Sequence, residues 1–146
     1  MPLPVGRANW TSEKMRISVD TNVLVRAILQ DDVKQARAAT KLLKEASLIA
    51  LSLLCLCELV WILRQGAKLT KEEISAVIRS LLNAGNVAMD RPAVEAGLAL
   101  LEAGGDFADG VMAYEGNWLG GETFVSFDKQ AVKLIAQQGQ KTRLLT

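Results

Sequence analysis

The chain has 146 residues, half of them hydrophobic and 23% charged, with 17 Lys/Arg against 16 Asp/Glu and no histidine. That length suits one compact domain with a real core, and the near-neutral balance excludes a protein that holds nucleic acid by bulk charge alone. The lack of histidine removes the usual general base near neutral pH, the Ser/His and Cys/His nucleophile pairs and the commonest zinc ligand, leaving carboxylates, hydroxyls, amines or a metal to carry any chemistry.

Residues 1–14, MPLPVGRANWTSEK, contain no continuous apolar stretch of the kind a secretory signal needs. They read as a flexible N-terminal extension ahead of a domain spanning 15–146. Short apolar runs then alternate with helical periodicity, the pattern of an α/β domain with a mostly parallel central sheet flanked by helices. The first predicted strand is Arg16 to Val19. Helix follows over Val33 to Ala46, strand over Leu48 to Leu51 and helix over Leu54 to Gln65. The run from Leu48 to Leu63 is too short for a membrane span and contains Glu58, so a buried strand and helix account for it better. Cys55 and Cys57, two apart in that run, are spaced too closely for a redox or zinc pair and read as reduced core residues of a cytoplasmic protein.

Thr70 to Asn83 opens on TKEE, a capping box, and repeats apolar residues at Ile74, Val77, Ile78, Leu81 and Leu82. Of these, Val77, Ile78, Leu81 and Leu82 suit either the core or a partner contact. A strand over Val87 to Met89 precedes a helix that begins around Pro92 and stops at Gly104 and Gly105. Phe107 to Leu119 and Lys129 to Gln137 complete the helices, with strands at Thr123 to Ser126 and, more weakly, Arg143 to Leu145. No repeat or low-complexity segment interrupts the series.

Charge is unevenly distributed along this order. Residues 1–91 carry 13 Lys/Arg and 9 Asp/Glu, residues 92–128 none and 7, and residues 129–146 4 and none, or +4, −7 and +4. An acidic stretch of that size needs a partner. Ligands of open parallel sheets bind at the carboxyl ends of strands, where Asp20 closes RISVD and Asp128 closes TFVSFD. Each is also suited to a helix cap. Glu58 is the one charge in LSLLCLCELVWIL, where a carboxylate needs a cation, a metal, an exit to water or a pair such as Arg64. Asp106 is the natural cap of the helix in DFADGVMA. Asp109, one turn in, points either to the sheet or to solvent. Converging carboxylates repel unless a cation lies between them, and an all-oxygen donor set selects Mg²⁺ or Mn²⁺ over zinc.

VDTNVLV, LCELVWIL, DFADGVMA and TFVSFDK, in this order, resemble the motifs of PIN-domain ribonucleases, and within them the VapC toxins of type II toxin–antitoxin systems. The likeness covers residues 15 to about 145. It implies a three-layer PIN-like fold and an endoribonuclease dependent on Mg²⁺ or Mn²⁺. By motif, Asp20, Glu58, Asp109 and Asp128 match the catalytic, metal-holding acids. Thr21, Asn22, Asp106 and Ser126 match supporting positions. Gly110 stands where the family usually has alanine, which by helix propensity weakens the helix start by up to about 1 kcal/mol. The implied partners are an RNA substrate, a VapB-like antitoxin whose C-terminal segment blocks the groove, and a second copy in a homodimer, with no membrane association. Arg26, Lys34, Arg37, Lys41, Lys44, Arg64, Lys68 and Lys71 are available to hold RNA phosphates or simply face water.

Two other readings compete. A receiver-type signalling domain also gathers acids at strand ends, but it wants an acid pair after the first strand, where Asp20 stands alone, and only Lys129 fits its lysine. A catalytically silent PIN-fold module that binds RNA or protein would have no physical reason to keep four costly carboxylates.

Overall fold

A computed structural model describes residues 15–146, so the extension expected over residues 1–14 lies outside the described residues. The elements are β1 (Arg16–Ser18), α1 (Thr21–Leu29), α2 (Val33–Glu45), β2 (Leu48–Ala50), α3 (Leu53–Trp61) running into a π-helical turn (Ile62–Gly66), α4 (Lys71–Asn83), β3 (Val87–Ala88), α5 (Arg91–Glu102), α6 (Phe107–Trp118), β4 (Thr123–Ser126), α7 (Lys129–Gln137) and β5 (Lys141–Leu144).

Every strand pairing among these is parallel, as expected for strands joined by helical crossovers. Ile17 lies opposite Ile49, and Ile49 opposite Val87, giving the order β1-β2-β3. Phe124 lies opposite Thr142, pairing β4 with β5. Among the described residues these form separate ladders of three and two strands rather than one continuous sheet. Each of the first three strands is one residue shorter than its predicted run, ending before Val19, Leu51 and Met89, which lead toward the next helices.

The sequence reading assigned no element to residues 21–29, where the structure has α1. Thr21, Leu24, Val25 and Ile28 recur at helical spacing, and Asp20 caps the helix through Asn22 N at 3.0 Å. No glycine marks its end. Gln30 takes the left-handed conformation there (φ 58°), and its side-chain amide donates to Ala27 O at 2.7 Å.

The main core joins α1, β2, α3, α4, α5 and α6 around Leu56, Leu59, Leu63, Ile74, Ile78, Leu101 and Phe107, all fully buried. Ile78 and Leu82 of α4 belong to it, and Val77 and Leu81 pack against it. Ile78 and Leu82 are therefore core residues, while Val77 and Leu81 are half-buried at the edge of the core. The Thr70/Glu73 capping box forms as read, with both reciprocal hydrogen bonds present. A second, smaller core of Leu100, Ala113, Leu134 and Ile135, with Phe124 against it, fixes α7 and β4 to α5 and α6. No helix of the described residues is long and apolar enough to cross a membrane.

Helices α5 and α6 meet at glycines. A methyl group on Gly110 would lie 2.5 Å from Ala96 O and 2.8 Å from Gly97 Cα, and one on Gly97 would lie 2.8 Å from a Val111 methyl. The glycine that propensity alone marks as a weak point is thus what lets the α6 backbone approach α5. That approach sets where α6 presents Asp109.

Candidate active site

Asp20, Asp106 and Asp128 are all N-caps. Asp20 opens α1, Asp106 opens α6 through Ala108 N at 3.0 Å, and Asp128 opens α7 through Gln130 N and Ala131 N at 2.9 and 3.1 Å. A cap uses part of a carboxylate's accepting capacity and leaves the rest free, so the cap and ligand roles are compatible. Ser126 Oγ accepts from Asp128 N at 2.9 Å and fixes the bend that turns β4 into α7.

Asp106, Asp109 and Asp128 line one cleft of about 270 Å³, together with Trp61, Arg64 and Gln130. Asp109 is half-buried, and among the described residues its carboxylate takes no hydrogen bond. Its pKa is pushed above the ordinary aspartate value by burial first, then by the charges of Asp106 and Asp128. The helix dipole at the start of α6 works the other way, at about 0.3–1 kcal/mol, and is outweighed.

Glu58 stands nearby on α3 and is exposed, contrary to the interior setting its apolar neighbours suggested. The reason lies in the helix face. Cys55, Leu56, Leu59, Val60 and Leu63 are buried, while Leu54, Glu58 and Trp61 form the outer stripe. The buried hydroxyl of Thr21 donates to Glu58 Oε1, and Cys55 Sγ lies 3.8 Å from the same hydroxyl. The Cys55 thiol is raised mainly by burial, with smaller contributions from Glu58 and Asp20, so these two carboxylates flank it. On the other side of α3, burial and then Asp106 and Glu115 push Cys57 up to about 11. Neither cysteine is placed as a thiolate, and both are free.

The acids read from the sequence therefore stand in two groups. Asp20 and Glu58 gather at Thr21, and Asp109 and Asp128 gather with Asp106, with α3 serving both. Among the described residues no three Asp, Glu or Cys side chains are placed to hold one metal ion together. In donor chemistry, all-carboxylate with Asp109 raised by burial and then by its acidic neighbours, the set fits a hard cation. Asn22 contributes its backbone N–H to Asp20. Of the eight basic residues that the sequence offered, Arg64 lines the cleft, Arg26 pairs with Asp31 at 3.3 Å, and Lys71 donates to Glu102 O at 3.2 Å. Trp61 also lines the cleft, and no motif in the sequence marks it. Its signal was its position three residues after Glu58, on the same helical face.

Replacing Thr21 by valine removes the donor to Glu58 and keeps the buried shape. We expect a loss of about 1 kcal/mol in chemical denaturation. Any activity that depends on Glu58 should fall with it, and Thr21→Ser, which restores the hydroxyl, should recover most of it.

The sequence matches the family model of the PIN domain over residues 17–134. The chain belongs to the PIN domain family, and its helices around parallel strands are the α/β architecture of that class. PIN domains are, as a class, metal-dependent nucleases, so a hydrolase of nucleic acid is the activity the family defines. Comparisons with curated proteins and with solved structures give no match.

Proposed function

We propose that this PIN domain is an endoribonuclease dependent on Mg²⁺ or Mn²⁺, acting in the cytoplasm as the VapC-type toxin of a type II toxin–antitoxin pair. The observation that carries the proposal is the cleft of Asp106, Asp109 and Asp128, with Asp109 pushed up by burial and then by its acidic neighbours, facing the helix that bears Glu58. Crowded carboxylates without a countercharge are costly to keep, and a divalent ion offsets that cost.

Asp20, Glu58, Asp109 and Asp128 are the residues that would hold the ion, drawing on both groups. When bound, such an ion supplies a hydroxide nucleophile at neutral pH and stabilises charge on the phosphoryl oxygens. The chain's own residues prepare the site. Thr21 holds Glu58, the Asn22 backbone holds Asp20, Ser126 and the first turn of α7 hold Asp128, and Asp106 caps the helix that carries Asp109. With no histidine in the chain, proton transfer falls to carboxylates and water.

The test is cleavage of a labelled RNA. Activity should require Mg²⁺ or Mn²⁺, disappear in EDTA, return on adding the ion back, and fall by about 10²–10³-fold in Asp20→Asn, the scale for losing one electrostatic stabiliser. Cleavage unchanged by chelation would defeat the metal-dependent reading. RNA binding with no cleavage under any metal would favour the silent module. The toxin role carries its own requirement: co-purification with the product of the neighbouring gene should yield a small, tightly bound antitoxin that silences the nuclease. The active unit is then a homodimer, readable by light scattering.

A further inference from the structure

We propose that Trp61 and Arg64 form a reading surface beside the acidic cleft, Trp61 stacking one unpaired base and Arg64 holding its phosphate. The inference rests on the nucleic-acid substrate of the function proposed above.

Trp61 is 65% exposed, a large apolar area for a side chain that usually covers core. It lies on the wall of the cleft that holds Asp109 and Asp128, not on a remote face. Immediately after it the helix widens into the π-helical turn Ile62–Gly66, closed by Ala67 N to Ile62 O at 3.1 Å. Single π turns are frequent at functional sites. This one keeps Leu63 in the core while Trp61 and Arg64 both line the cleft.

Arg64 makes the occupant specific. It shares the cleft with three carboxylates, yet among the described residues it forms no ion pair, and its one hydrogen bond is a long one to Gly105 O at 3.4 Å. A guanidinium free of carboxylate is available to phosphate. A flat aromatic face beside a free guanidinium and the acids that would hold the hydrolytic ion matches one nucleotide: base on Trp61, phosphate on Arg64. A duplex buries its base faces in its own stack, so only an unpaired base can take this place.

Fluorescence anisotropy on the full-length chain in EDTA tests this with three labelled RNAs: a 12-nucleotide single strand, the same strand in a duplex, and the strand with abasic sites. The single strand should bind at least about tenfold tighter than the other two. Trp61→Ala should weaken it by about 10- to 100-fold, Trp61→Phe should keep most of the affinity, and Trp118→Ala, which removes another exposed tryptophan away from the cleft, should bind as the parent does. Arg64→Ala should weaken binding and flatten the salt dependence by about the 0.7 log–log slope of one phosphate contact. In turnover, the Trp61→Ala loss should fall on KM more than on kcat.

Equal binding by parent and Trp61→Ala, equal binding of strand and duplex, or no binding of the strand would each overturn the proposal. So would a self-association of the parent that Trp61→Ala abolishes without changing RNA affinity, which would assign this face to a second copy. The two readings fail separately. If Asp109→Asn is inactive while Trp61→Ala binds normally, only the stacking fails. If Asp109→Asn still cleaves while Trp61→Ala loses RNA, only the catalytic assignment fails.

Discussion

Asp109→Asn should lower RNA cleavage by at least about 10²–10³-fold and at the same time raise the melting temperature at neutral pH. Ordinary buried substitutions lower both quantities. The opposition follows from the position of Asp109, half-buried against Asp106 and Asp128, which together with burial raise its pKa above the ordinary 3.8. A carboxyl whose folded pKa exceeds its unfolded one contributes stability that is fully present below the unfolded value and lost as pH rises through the folded value. Above that window the ionised side chain costs the fold stability, and the isosteric amide removes the cost. The gap in melting temperature between Asp109→Asn and the parent should therefore be widest near pH 7 and close as pH falls below about 4. Thermal scans across that range check it. An asparagine variant less stable than the parent at pH 7 would mean that Asp109 makes a favourable contact, and crowding would no longer explain the site.

The second large effect is expected at Gly110. Gly110→Ala puts a methyl group 2.5 Å from the Ala96 carbonyl oxygen and 2.8 Å from Gly97 Cα. Both are backbone atoms, so neither can turn aside and the helices must separate. Overpacking of this kind costs about 1–3 kcal/mol, against the gain of up to about 1 kcal/mol that helix propensity assigns to alanine. Steric cost wins, and the melting temperature should drop by several degrees. Activity should fall further than stability does, because Asp109 is the adjacent residue and moves with the α6 backbone. A more stable Gly110→Ala protein would show that α5 and α6 pack less closely than described.

How far the sequence could be read depended on whether the deciding interaction was local. The Thr70/Glu73 capping box is complete within four residues and appears as read. The parallel pairings follow from alternation of strand and helix, which is visible along the chain. Helix α1 escaped because Val23, Leu24 and Val25 form an apolar run with two β-branched residues next to a strand, and only packing of Leu24 and Val25 into the core decides for helix. Glu58 looked interior because eleven of its neighbours are apolar in LSLLCLCELVWIL, but a helix sorts such a run by face, and Glu58 shares the outer one with Leu54 and Trp61.

The site shows the same division. That Asp20, Asp106 and Asp128 cap helices was open to inspection, since each stands just before a helical run. That Asp106, Asp109 and Asp128 share a cleft while Asp20 and Glu58 meet at Thr21 depends on tertiary packing. The role of Gly110 was misread for the same reason, because its partner is the backbone of another helix. The π turn after Trp61 has no counterpart in residue propensities, so the sequence does not show it.

The central claim, that both carboxylate groups serve one divalent ion, is tested most directly by titrating Mn²⁺ into the purified protein by calorimetry and repeating it with Asp20→Asn and with Asp109→Asn. Uptake by the parent that either substitution alone abolishes is the predicted result. No uptake by the parent, or uptake lost with only one of the two, would contradict a shared site.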